Sequence, residues 1–330
     1  MIVDTHAHLT PQSMLEALKG SSAFPSVSAM HDGGTVKFAF CGGAPTRPVS
    51  PGLRNTEKRL EWMAAQAIDV QVCGGWLDSF GYELPDQEGL AWSRFINEHL
   101  LRECERQPRL KPLCSVPLQN GRLAAEVLRE AMKAGFGGTM IGTQPKGTSG
   151  NLDDPDLDPF WQAASDLGAS VYLHPMFGCG DVRLNDYDMI NAVGRGVDTS
   201  TAVARMLYAG HFTKYAGMKF VLSHGGGALP YMMGRLMRNN AIHKGEYADA
   251  AAEFQKLYFD TVLFDPAALR FLADKVGIGK IVLGSDYPFP IGDPEPCKVV
   301  HACHFGEHET KQILGDTAVR LFNIDPAKVK

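Results

Sequence analysis

Eight short apolar runs, each followed by a longer amphipathic stretch, constrain this chain more than any other feature. The runs fall at 2–6, 69–74, 111–116, 138–141, 170–174, 219–224, 257–261 and 280–286 and read as strands. The stretches at 56–67, 87–106, 121–134, 159–167, 198–214, 229–243, 266–275 and 307–321 carry apolar residues at three- and four-residue spacing and read as helices. Asp265-Pro266 and Asp158-Pro159 look like helix starts, an N-cap followed by a first-turn proline. Strand–helix alternation builds a parallel sheet with helices outside it, and eight such units predict a (β/α)₈ barrel. An open doubly wound sheet uses the same alternation. No Gly-x-Gly-x-x-Gly follows the first strand, which weakens a nucleotide-binding version of that alternative.

Two segments break the rhythm. Residues 9–55 separate the first strand from the first helix and are rich in Gly, Pro and Ser; residues 175–196 follow the fifth strand. Both leave the C-terminal face of the barrel, where such enzymes keep their chemistry, so both are positioned to cover an active site. No interdomain linker or repeat is visible, so residues 1–330 read as one domain with 9–55 as an active-site insertion.

A net charge of −5 with no Lys/Arg run argues against a nucleic-acid surface. No apolar run reaches the length of a membrane span, and the N-terminus lacks the pattern of a signal peptide. The seven cysteines, Cys41, Cys73, Cys104, Cys114, Cys179, Cys297 and Cys303, are scattered and form no Cys-x-x-Cys pair. They read as reduced thiols of a cytoplasmic protein.

The ends of the predicted strands carry the chemistry. The first ends at His6, with His8 just beyond; side chains alternate along an extended strand, so the two imidazoles point the same way. The fifth ends at His174-Pro175, the sixth at His224-Gly225-Gly226-Gly227 and the eighth at Asp286-Tyr287-Pro288. A parallel barrel gathers these ends on one face. Three histidines and a carboxylate, with a further histidine nearby, suit Zn²⁺ or a similar divalent ion, and residue types alone leave Zn²⁺, Mn²⁺ and other divalent ions open.

The chain resembles the amidohydrolase superfamily, and within it the branch of 2-amino-3-carboxymuconate-6-semialdehyde decarboxylase and related decarboxylases and hydratases. The resemblance rests on Asp4-Thr5-His6-Ala7-His8, Leu173-His174-Pro175, Ser223-His224-Gly225-Gly226-Gly227 and Leu283-Gly284-Ser285-Asp286-Tyr287-Pro288-Phe289-Pro290, with Thr46-Arg47-Pro48-Val49, Ile68-Asp69-Val70-Gln71-Val72 and Gly234-Arg235. It implies that His6, His8, His174 and Asp286 hold one divalent metal ion per subunit, with Zn²⁺ as the first choice. It implies His224, together with Asp286, as catalytic, His224 handling the proton of a metal-bound water. Arg47 and Arg235 would hold the carboxylates of a small substrate, Arg235 acting across the interface of a homodimer. The His-x-His replaces the Glu-x-His of several aromatic-acid decarboxylases in the branch, which favours the semialdehyde-decarboxylase or hydratase neighbourhood.

Those roles are physically coherent. A bound divalent ion lowers the pKa of water to about 7. An imidazole titrating near neutrality accepts or returns its proton. A guanidinium offers a carboxylate two charge-assisted bonds. The leading expectation is therefore a metal-dependent, non-oxidative decarboxylase of an unsaturated or aromatic carboxylic acid, in aromatic-compound catabolism. The alternatives are a hydrolase or hydratase acting on an amide, lactone or conjugated double bond, and a metal-stabilised binding protein without activity.

Read from the residues alone, Arg47 is equally a solvated loop cation and Arg235 equally a packing residue. Trp76 reads as core, and Phe177, Arg183 and Phe289 as candidate pocket contacts. Asp260, ending the seventh strand, reads as an orienter of a ligand. His31, His99, His211, His301, His304 and His308 lack matching partners and read as surface or structural.

Overall fold

The computed structural model describes residues 1–147, 149–176 and 180–329. Its strands are β1 (Val3–His8), β2 (Val27–Asp32), β3 (Thr35–Phe40), β4 (Val70–Gly74), β5 (Leu110–Pro112), β6 (Gly138–Gly142), β7 (Ser170–His174), β8 (Lys219–Leu222), β9 (Tyr258–Asp260) and β10 (Ile281–Val282). All but β2 and β3 run parallel, in the orders β1-β4-β5 and β6-β7-β8-β9-β10. Two seams join these arcs. Cys114, just past β5, donates to Gly138 O at 2.9 Å and accepts from Met140 N at 3.1 Å. Across the other seam Thr5 N donates to Leu283 O, and Asp286 N to His6 O, each at 2.8 Å. The ring is a closed eight-stranded barrel with helices outside, as the alternation predicts.

The barrel strands show continuous burial and no alternation with solvent because both faces are covered, by barrel interior and by helices; every residue of β4, β6 and β7 is buried. The helix Gly121–Ala134 shows why the surrounding layer begins and ends where it does. The Asn120 side chain accepts from the amides of Arg122 and Leu123, and Gly135 closes the helix at φ +100°. Asp265 caps Pro266–Val276 as its sequence suggests. Asp158 does not cap. It lies inside the helix Asp158–Asp166, and its carboxylate accepts from Lys214 Nζ and Tyr215 Oη.

Three further expectations change near the site. The eighth strand shrinks to Ile281–Val282, because Ser285 turns to Asp4 and Asp286 takes φ +60°. The sixth stops at Leu222, since His224 sits at φ +53°. Residues 9–55 are not an irregular loop. They contain the helix Gln12–Leu18 and the antiparallel hairpin β2–β3, whose register pairs Asp32 with Thr35 across Gly33-Gly34. Both turn glycines have positive φ, +52° and +86°, the geometry of a two-residue hairpin turn. Phe38 and Phe40 of β3 pack on buried Trp92 at ring separations of 6.0 and 5.9 Å, fixing the hairpin to the barrel. No helix among the described residues is long and apolar enough to cross a membrane.

Candidate metal centre and active-site cavity

The barrel delivers its strand ends to one point. His6 and His8 both lie within β1, so His8 belongs to the strand rather than following it. His174 is the last residue of β7, and Asp286 lies four residues beyond β10. One ligand atom from each of these four buried residues falls within 4.8 Å of the others. Asp286 Oδ1 is the hub: His6 Nε2 and His8 Nε2 each lie 3.2 Å from it, and His174 Nε2 lies 3.7 Å away.

The far side of each imidazole explains its orientation. His6 Nδ1 meets Asp260 Oδ2 at 2.7 Å, His8 Nδ1 meets Gly75 O at 3.2 Å, and His174 Nδ1 meets Pro175 O at 2.7 Å. All three partners only accept, so each Nδ1 carries the hydrogen and each Nε2 turns a lone pair inward. The three Nε2 atoms and Asp286 Oδ1 are buried and make no hydrogen bond. Four acceptors facing one another repel, and a cation among them converts that repulsion into ligation. The residues therefore fit a divalent metal of the His/carboxylate type.

The electrostatics agree. Burial holds His8 below, and His174 well below, the ordinary imidazole pKa, so both stay neutral. Burial also opposes charge on His6, but the Asp286 carboxylate and the Asp260 bond outweigh it and raise His6 to about 10, so without an ion a proton on His6 Nε2 takes the place a cation would fill. Burial would raise Asp286, yet the charge of His6 keeps it well below its usual value and ionised. Two carboxylates thus create a demand for positive charge at the centre. Asp260 is itself fully engaged: Oδ2 also accepts from Tyr172 Oη at 2.9 Å, and Oδ1 from Gly225 N and Val262 N at 2.9 and 3.1 Å.

His224 stands beside the four. Its Nε2 is 3.3 Å from Asp286 Oδ2, the oxygen not facing the other histidines, and its side chain is 21% exposed toward the cavity. His224 and Asp286 both occupy the left-handed region, uncommon for non-glycine residues and a feature of functional sites. Gly227, at φ +62°, lines the cavity and lies against the second insertion; a Cβ there would fall 2.3 Å from Gly196 O.

Above the four ligand atoms opens a cavity of about 850 Å³, within the usual range for small-molecule sites. Both insertions reach it. Arg47 comes from the first, and its Nε and Nη2 donate to Asp78 Oδ2 and Oδ1 at 3.1 and 3.2 Å. Trp76 is buried and forms part of the wall, so it is both core and lining. Phe289 lines the cavity with its ring 5.0 Å from that of His8.

Arg235 is exposed on the helix Leu229–Ile242 and does not line this chain's cavity. Arg183 also stays out of it, binding Asp181 at the surface. Phe177 lies outside the described residues. His211 is buried and packs edge-on against Trp161 at 4.8 Å. Among the charged lining residues, Asp78, two residues past Trp76, Asp188 and Arg195 were not singled out from the sequence. The helix expected to start at 198 already includes Arg195, which continues from the π-helical turn Ile190–Gly194, and this places that side chain at the cavity.

The amidohydrolase family model matches residues 3–324, and the chain belongs to that family. It is 28% identical over 340 residues to the 2-amino-3-carboxymuconate-6-semialdehyde decarboxylase of Dictyostelium discoideum, covering 99% of this chain and 92% of that one. In structure it is similar to the 5-carboxyvanillate decarboxylase of Sphingomonas paucimobilis, with a TM-score of 0.80, 21% identity and coverage of 98% and 99%. It is also similar to the dihydroxybenzoic acid decarboxylase of Polaromonas sp. JS666, solved with bound manganese and the inhibitor 2-nitroresorcinol, with a TM-score of 0.79, 20% identity and coverage of 99% and 98%.

Proposed function

We propose that this family member is a metal-dependent, non-oxidative decarboxylase, a carboxy-lyase acting on an unsaturated or aromatic carboxylic acid in aromatic-compound catabolism. The observation that carries the proposal is the convergence of four unpartnered acceptor atoms, His6, His8 and His174 Nε2 with Asp286 Oδ1, at the floor of a cavity that His224 also faces. The decarboxylases to which the chain is similar support the same reading.

His6, His8, His174 and Asp286 would hold one divalent ion per subunit, Zn²⁺ on our reading with Mn²⁺ as the alternative. Such an ion supplies Lewis-acid polarisation and activates water. His224 is the acid/base: its Nε2 shares Asp286 with the ligand set and its exposed edge faces the cavity, so it accepts a proton there and returns it. Loss of CO₂ leaves an electron pair on carbon that a proton must take up. Arg47 orients a substrate carboxylate, its own guanidinium held by Asp78.

Arg235 of the partner subunit would complete the site in a homodimer. Tyr231, 86% exposed, and exposed Met232, Met237 and Ile242 on the same helix support that role for this surface. We further read the chain as one barrel domain in which residues 9–55 are an active-site insertion, because Arg47 lines the cavity from within it. The free thiols of the described cysteines support a cytoplasmic location.

Incubating the metal-loaded protein with candidate acids should release one CO₂ per substrate consumed. A good substrate converted to a product heavier by one water, without CO₂, would establish the hydratase or hydrolase alternative instead. His224→Asn should lower kcat by roughly 10²–10⁴-fold at unchanged metal content. Activity untouched by that change would remove His224 from the chemistry.

A further inference from the structure

The segment after β7 carries a guanidinium that none of these roles uses. Arg195 lines the cavity together with Arg47, His174 and His224. Three hydrogen bonds hold it: Nε donates to Asn191 Oδ1 at 2.7 Å, and Nη1 donates to Pro175 O and Met176 O at 3.1 and 2.6 Å. Pro175 O also accepts from His174 Nδ1, so a single carbonyl joins Arg195 to an imidazole of the metal centre.

All three acceptors of Arg195 are neutral. Among the described residues no carboxylate lies within ion-pair distance of it, and Asp78, Asp286 and Asp198 act on it only at longer range. Its Nη2 makes no hydrogen bond there. Arg47 differs, because Asp78 already engages it through two bonds. Burial, and next the charge of Arg47, lower the Arg195 pKa, but a guanidinium keeps its proton in any protein. A partly buried cation with no carboxylate in direct contact is costly, and an anion arriving from the cavity side relieves that cost.

We propose that Arg195 anchors a second carboxylate of the substrate, one retained through the reaction, so that the site selects dicarboxylic over monocarboxylic acids. The choice of substrate class rests on the decarboxylase reading of the cavity. The retained group is the suitable partner for a physical reason. A carboxylate leaving as CO₂ loses its charge on the way to the transition state, so an ion pair to it favours the ground state and slows the step. An ion pair to a retained carboxylate keeps its strength throughout and fixes the orientation of the reacting end.

The test is calorimetric binding of benzene-1,3-dicarboxylate and of benzoate to the metal-loaded full chain and to its Arg195→Met and Arg195→Gln variants. The dicarboxylate should bind the parent protein about tenfold more tightly or better. Either variant should cut that preference to about twofold or less while metal content stays at the parent level. Gln removes the charge but keeps an amide donor, on a shorter side chain, so it serves if the Met variant fails to fold. A parent protein without the preference, or a folded variant that retains it, overturns the proposal. Binding is read without turnover. A preference that tracks Arg195 with no CO₂ from any acid therefore sinks the decarboxylase reading alone, and CO₂ release with a preference indifferent to Arg195 sinks this proposal alone.

Discussion

Asp260 shows how much a residue outside the ligand set decides. Each of its oxygens faces two donors, His6 Nδ1 and Tyr172 Oη on one side and the amides of Gly225 and Val262 on the other. In Asp260→Asn the amide nitrogen must point a donor at donors whichever way it turns. Metal affinity should fall roughly 10–100-fold with the fold intact, measured by competition with a chelator; an unchanged affinity would show that His6 needs no such support. His211 offers a test of acid stability away from the site. Burial, then the charge of Lys214, pushes it down to about 4 from an ordinary value of 6.5. The unfolded chain therefore binds that proton first as pH falls, and stability declines between pH 6.5 and about 4 while staying flat above. The loss across that window is about 3 kcal/mol. His211→Phe should flatten the dependence, read as the difference in urea midpoint between pH 7 and pH 4.5; parallel profiles for the two proteins would contradict it. The four candidate ligands were legible as a group because each sits at or just beyond a strand whose apolar run is plain, as Leu173-His174 shows. Arg195 was not, because its position depends on where a helix starts within an insertion, and no periodicity reports that.

The hairpin β2–β3 does for Arg47 what the barrel strands do for the histidines. Phe38 N donates to Thr46 Oγ1 at 3.0 Å, and Thr46 N to Phe38 O at 2.7 Å, so the segment entering Arg47 is tied to β3. β3 in turn rests on Trp92, whose Nε1 donates to Ser79 O at 2.7 Å. Trp92→Ala should cost about 3–5 kcal/mol of stability in urea unfolding. It should also raise KM more than it lowers kcat, because it loosens the support of Arg47 without touching the histidines; a loss of under about 1 kcal/mol would mean that the hairpin closes over the gap. The hairpin left a readable mark, Asp32-Gly33-Gly34-Thr35, but its strands are short and polar on one face, so composition alone suggested a loop. The opposite happened at the eighth strand. Its apolar run extends to Leu283, yet Ser285 is drawn to Asp4 by two bonds, and the backbone leaves ladder geometry before Asp286.

At the scale of the whole molecule, the four ligand atoms come from three widely separated stretches of chain, so binding an ion stabilises the native arrangement and not the unfolded one. Metal at about 100 times its Kd should add about 2.7 kcal/mol. Chelation should accordingly lower the melting temperature by several degrees, and His174→Ala should abolish the difference between chelated and loaded protein. Equal melting temperatures with and without metal in the parent protein would count against the site. The barrel itself was legible because its eight units repeat one simple pattern. The contacts that close it were not, since the seams are made by single bridges and by side chains whose sequence separation is large. The last of those seams places the site in time. Asp4 meets Ser285 across a separation of 281 residues, so at roughly 5–20 residues per second the first strand waits on the order of 15–60 seconds on the ribosome for its final neighbour. A chain interrupted before that point holds the three histidines without Asp286, the carboxylate that faces all of them. Uptake of metal at this site would thus report that translation has passed Asp286.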